Sequence, residues 1–121
     1  PVLATTIARW APGVLDDYLH CGTAQRDGRT VLAFDREIET RIYDTLPHQL
    51  GRTLARHPLR CPLGFIAGTR SPEVRAGGLG AVRRLAGDGL MWQEGTHLFP
   101  MEHPRETAEK VLTLLAGMRP G

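Results

Sequence analysis

Serine is almost missing from this chain. Ser71 is the only one in 121 residues, and no Gly-x-Ser-x-Gly occurs. The Gly-x-Ser-x-Gly elbow that presents a serine nucleophile is therefore absent from these residues. Lysine is nearly as scarce: of 15 basic residues, all but Lys110 are arginine. The arginines are scattered, only Arg83 and Arg84 adjoin, and the net charge is +2. Aromatics, at 6%, do not interleave with them. A nucleic-acid reader would show a basic stripe on one face, so no nucleic-acid partner is expected. No run approaches the ~20 apolar residues of a membrane helix, and no basic-then-apolar leader opens the chain. No membrane partner is expected. Cysteine appears twice, at Cys21 and Cys61, in no zinc or redox spacing. Both are expected to be buried, reduced thiols of a cytoplasmic protein. His97 and Glu102-His103 give H-x4-E-H rather than the H-x-x-E-H of a zinc protease, and Pro100 and Pro104 prevent one helix from presenting both histidines. No metal and no cofactor is expected.

The length allows one domain at most, or part of one. The chain opens on Pro1 rather than methionine, as expected of a piece of a longer protein. An amino-terminal proline can act as a base, but the residues after Pro1 do not repeat the pattern of the tautomerases that use one.

What is present reads as helices with a few short strands. From Arg9 to Cys21, Trp10, Val14, Leu15, Tyr18 and Leu19 share one helical face, with Pro12 in the first turn and Gly22 as C-cap. Asp27-Gly28 is a turn, and residues 30–34 form a strand after it. Asp35 caps a second helix whose Ile38, Ile42 and Leu46 repeat every four residues, with Glu37 paired to Arg41. A third helix is predicted from about His48 to Arg56, with Leu50 and Leu54 inward. The continuous apolar run 61–68 reads as a strand buried on both faces, hence parallel. Ser71 at N-cap, Pro72 and Glu73 start a helix with Val74, Ala81, Val82 and Leu85 inward, weakened by Gly77, Gly78 and Gly80. A last strand, 90–93, leads through a loop into a helix from Pro104 to about Ala116. That helix carries Ala108, Val111, Leu112 and Leu115 on one face. Glu102 and His103 are expected to brace the loop, with His103 capping the helix. Strand–helix–strand–helix over 61–116 is a βαβα unit with two parallel strands.

The loop itself, Gly95-Thr96-His97-Leu98-Phe99-Pro100-Met101-Glu102-His103-Pro104, is the most specific stretch. His97 sits after a strand, where open α/β sheets place their chemistry. The pattern Gly-x-His-x-Phe-Pro, an acid, Pro and then Thr107-Ala108 resembles the histidine-bearing end of bacterial α/β-hydrolases. Upstream, Tyr18-Leu19-x-x-Gly22, Asp27 to Phe34, and Glu37-x-Glu39-x-x-Ile42-Tyr43 are similar to the closing section of that family's helical cap. The resemblance covers nearly the whole chain. It implies an α/β fold, with residues 1–57 as cap and connecting helix and 58–121 as the C-terminal part of the hydrolase core.

The same resemblance implies serine–histidine–acid chemistry on an ester or related small acyl substrate, with His97 as general base. The serine would come from a missing N-terminal half. Where the family has Gly-x-x-Asp, this chain has Gly68-Thr69-Arg70-Ser71. Ser71 cannot carry the orienting negative charge, which leaves Glu73, two positions later, or an acid from the missing half. A Ser71–His97 dyad is the lesser alternative to a plain helix cap. Trp10, Tyr18, Leu98 and Phe99 would face substrate, although aromatics at helical spacing commonly form core. Two parallel strands cannot stand alone, so the N-terminal half or self-association is expected to cover them. A second expectation is a non-catalytic binding or assembly module derived from the same fold.

Overall fold

The computed structural model describes residues 2–46 and 49–118. Pro1, His48 and Pro120, which enter the sequence expectations, lie outside them, as does the side chain of Leu50.

The chain begins with a helix that the sequence did not signal, α1 (Val2–Ile7). The next helix, α2, runs Val14–Gly22 rather than from Arg9. Gly13, at φ 85°, takes the left-handed conformation at its N-cap, which sets the start after Pro12. Trp10 therefore lies before the helix, yet its ring still meets that of Tyr18 edge-on, 5.4 Å apart. Asp27 and Gly28 both have positive φ. This is the geometry of a tight two-residue hairpin turn. It joins β1 (Thr23–Arg26) to β2 (Arg29–Leu32) in antiparallel register, Thr23 opposite Leu32. The strand expected at 30–34 is thus shifted, and its partner carries no sequence signal, because Thr-Ala-Gln-Arg shows no apolar alternation.

In α3 (Arg36–Asp44) the Asp35 carboxylate accepts the Glu37 and Ile38 backbone N–H groups, as a cap should. Glu37 and Arg41 do not form the expected ion pair among the described residues. Ile38, Ile42, Tyr43 and Leu46 are exposed, so the apolar stripe has nothing over it. A fourth helix, α4 (Leu50–Arg56), follows, with Leu54 half-buried.

Of the run 61–68, only Phe65–Gly68 forms a strand, β3. Pro62, with no N–H to donate, precedes it. The helix after it is broken in two, α5 (Pro72–Ala76) and α6 (Leu79–Ala86), by Gly78 at φ 93°. Val74 and Val82 are half-buried, but Ala81 and Leu85 are exposed, contrary to expectation. A 3-10 turn, Gly87–Gly89, leads to β4 (Leu90–Gln93). β3 and β4 pair in parallel, Phe65 beside Leu90 and Gly68 beside Gln93. The single turn α7 (Phe99–Glu102) and the long α8 (Pro104–Gly117) close the chain. His103 stands at the N-cap of α8 but makes no side-chain cap bond, so that part of the expectation fails.

Among the described residues the fold mixes helices with two separate two-stranded sheets. Among the described residues the buried apolar core is Ala67 and Phe99 alone, while Ser71, Gln93 and Glu102 are buried polar residues. The chain exposes 9843 Å². A compact monomer of 13.3 kDa would expose ~6,500 Å². Val111, Leu112 and Leu115 on α8 are exposed, Leu112 by 66%. Cys21 and Cys61 are also exposed, which corrects the expectation that they are buried. Neither has enough surrounding structure to enclose it. No helix of the described residues is long and apolar enough to cross a membrane.

Candidate active site

The site begins where β3 and β4 end side by side. Their ladder continues into the loops: the Thr69 N–H bonds the Gln93 carbonyl at 2.9 Å, and the Arg70 N–H bonds the Gly95 carbonyl at 2.9 Å. The Thr69 hydroxyl donates to Glu94, and Arg70 forms an ion pair with the same carboxylate. These bonds draw the loop after β4 across the end of β3. The approach is so close that a Cβ on Gly68 would lie 2.3 Å from the Thr96 carbonyl oxygen.

The loop then folds on itself. Gly95 has φ 137°, and a Cβ there would lie 2.6 Å from the Phe99 Cβ and 2.7 Å from Glu102 Oε2. Glu102 accepts the Thr96 backbone N–H at 2.9 Å and the Thr96 hydroxyl at 2.6 Å. The Thr96 Oγ1 in turn accepts the Leu98 N–H at 3.2 Å. The expected bracing role of Glu102 is therefore met, with its side chain only 3% exposed. Burial works against its charge. The two Thr96 bonds, Arg9 and Arg70 outweigh it and hold the carboxyl below the ordinary glutamate range. Arg9 Nε lies 3.8 Å from Glu102 Oε1, and the Ala11 N–H bonds the Met101 carbonyl at 2.9 Å. These two links tie the N-terminal segment to α7. Nothing in the sequence pattern near Arg9 or Thr96 signals either link.

His97 sits at the crest of this loop, its side chain 59% exposed. Its Nδ1 is 3.3 Å from Ser71 Oγ and 3.8 Å from Glu73 Oε2. Ser71 caps α5, accepting the Val74 N–H at 3.3 Å, and donates its hydroxyl to Glu73 Oε2 at 2.9 Å. The Glu73 carboxyl is held below its ordinary range, first by its own backbone N–H, then by the Ser71 hydroxyl, with the nearby His97 adding to both. The other imidazole nitrogen, Nε2, has no partner among the described residues.

The fold thus brings His97 and Glu73 together, with Ser71 between them. Ser71 is 1% exposed, so it is closed to substrate and its dyad reading as a nucleophile fails. Phe99 is core rather than substrate-facing: it is buried and lines an apolar groove with Ile66, Val111 and Leu115 that does not include His97. Leu98 is half-buried beside His97 in the chain. Tyr18 is exposed and Trp10 half-buried; the Trp10 Nε1 is enclosed without an acceptor among the described residues. Among the described residues no group of three or more His, Cys, Asp or Glu side chains could hold a metal ion.

Set against protein-family models, curated proteins and solved structures, the chain matches none of them.

Proposed function

We propose that these residues are the cap and the histidine-bearing part of an α/β-hydrolase that cleaves an ester or related small acyl substrate. One observation carries the reading. An exposed imidazole stands on the loop after a parallel strand, with Nδ1 turned to a serine-bridged carboxylate and Nε2 unengaged. That is the arrangement a general base needs. The serine comes from a separate N-terminal segment bearing the nucleophile elbow, which also covers the open sheet edge and the apolar face of α8.

In that assembly Nε2 takes the serine proton as the serine oxygen bonds to the acyl carbon. The imidazolium that forms lies beside Glu73, whose negative charge favours it. Collapse of the tetrahedral adduct breaks the bond to the alcohol, which leaves with the proton from Nε2. Water then gives a proton to Nε2 as its oxygen bonds to the acyl carbon; the adduct collapses by breaking the serine–acyl bond, the serine oxygen takes the proton back, and the acid is freed. No cofactor is required. The proposed setting is the cytoplasm, where exposed Cys21 and Cys61 stay reduced.

The test is complementation. An N-terminal hydrolase segment with its serine elbow is added to the chain and p-nitrophenyl ester hydrolysis is followed. Turnover that disappears in His97→Ala is the expected result; equal rates for the two proteins reject the proposal.

A second reading, a non-catalytic assembly module, is favoured by the 9843 Å² of exposed surface and the bare apolar faces of α3 and α8. It predicts stable complexes whose formation is indifferent to His97→Ala and which never hydrolyse the ester.

A further inference from the structure

We infer that Ser71 is a positioning residue: its hydroxyl relays the Glu73 carboxylate to His97 and fixes the imidazole as the Nδ1–H tautomer, leaving Nε2 as the basic nitrogen. The inference deepens the reading of His97 as a base, but it follows from hydrogen-bond accounting alone.

A hydroxyl has one proton to give and two lone pairs to fill. Three groups lie around the Ser71 oxygen: the Glu73 carboxylate at 2.9 Å, the Val74 N–H at 3.3 Å and His97 Nδ1 at 3.3 Å. A carboxylate only accepts, so it takes the hydroxyl proton. The Val74 N–H only donates, so it fills one lone pair. The last lone pair faces Nδ1, and that contact is a hydrogen bond only if Nδ1 carries a proton. The competing assignment, with Ser71 donating to Nδ1, would leave the Glu73 oxygen and the serine oxygen facing each other without a proton between them.

The consequence is directional. Glu73 Oε2 is 3.8 Å from Nδ1, too far for a direct bond. It dictates the tautomer through the serine. Protonation of the ring adds a proton at Nε2 and leaves the three bonds at Ser71 untouched, so the base works without rearranging its support. A serine in the place of the family's aspartate thus keeps the orienting function while moving the charge one hydrogen bond away. Ser71 is 1% exposed, which keeps water from substituting for any of the three partners.

The test reads the tautomer directly. The 121-residue chain is labelled with 15N, and long-range 1H–15N spectra are recorded at a pH where His97 is neutral. The expected wild-type spectrum has the protonated, pyrrole-type signal at Nδ1. Glu73→Ala removes the carboxylate that accepts the hydroxyl proton, which then turns to Nδ1; the pyrrole-type signal is expected to move to Nε2. Ser71→Thr keeps the wild-type pattern. Ser71→Ala is expected to lose it but also removes a helix cap, so Glu73→Ala, at an exposed position with the cap intact, is the deciding variant. A wild-type signal at Nε2, or a Glu73→Ala spectrum unchanged from wild type, overturns the inference. Neither measurement needs turnover: an assembly that fails to hydrolyse esters rejects the proposed function and leaves the tautomer result standing.

Discussion

Thr96 gives both of its donors, the backbone N–H and the hydroxyl, to one nearly buried carboxylate, Glu102. The residue after Thr96 is His97, so Glu102 fixes the backbone from which the imidazole projects without touching the ring. The backbone of Gly95 runs so close to the same carboxylate that a Cβ there would lie 2.7 Å from Glu102 Oε2.

Replacing Glu102 with alanine should therefore loosen the loop rather than the sheet. It leaves the part-buried Thr96 N–H without its acceptor, a loss of about 1 kcal/mol. Amide hydrogen exchange at Thr96 and Leu98 is expected to accelerate by one to two orders of magnitude, while the β3–β4 amides stay protected. The charge of Glu102 adds a pH dependence. Its folded pKa lies below its ordinary value, so its contribution to stability is present above the unfolded value of ~4.3 and is lost as pH falls through the lower folded value. Exchange at Thr96 should rise in that acid window in the wild type. Glu102→Gln should abolish the rise.

Gly68→Ala should separate the two loops. Its Cβ would sit 2.3 Å from the Thr96 carbonyl, backbone that cannot swing aside. Overpacking of this kind costs about 1–3 kcal/mol. The expected result is a lower thermal midpoint together with loss of the His97 nuclear Overhauser contact to Ser71. Gly51→Ala, in α4 where nothing lies within 4 Å, is the control and should be neutral or stabilising.

The apolar face of α8 should drive association. Val111, Leu112 and Leu115 form an exposed patch beside the groove lined by Ile66 and Phe99. Exposed apolar patches of this sort mark contact surfaces. Sedimentation velocity of the chain at tens of micromolar is expected to show species larger than 13.3 kDa. Leu112→Glu with Leu115→Glu should return it to monomer; a monomer from the outset would reject this role for α8.

Both thiols should be accessible. Cys21 and Cys61 are exposed, and a thiol reagent such as 5,5′-dithiobis(2-nitrobenzoate) is expected to titrate two equivalents from the native chain without denaturant. A value below two would mean that one of them is covered in solution.

Local chemistry is legible in the sequence. Asp35 and Ser71 as caps, Asp27-Gly28 as a turn, Pro104 at the start of the last helix and the apolar strands around Phe65 and Leu90 follow from interactions within a few residues. Such interactions are written in the sequence because the partners travel together along the chain. Trp10 before its helix, the break at Gly78 and the unforeseen α1 and β1 show the limit, where a glycine's sign of φ or a distant partner overrides periodicity. The site itself depends on pairs that no local pattern specifies. Ser71 and His97 are 26 positions apart, and Arg9 reaches Glu102 across almost the whole chain. Only the parallel pairing of β3 with β4 brings the first pair together, because it sets two strand ends level. Only the crossing of the loop over Gly68 decides that the imidazole meets a serine and, through it, a carboxylate.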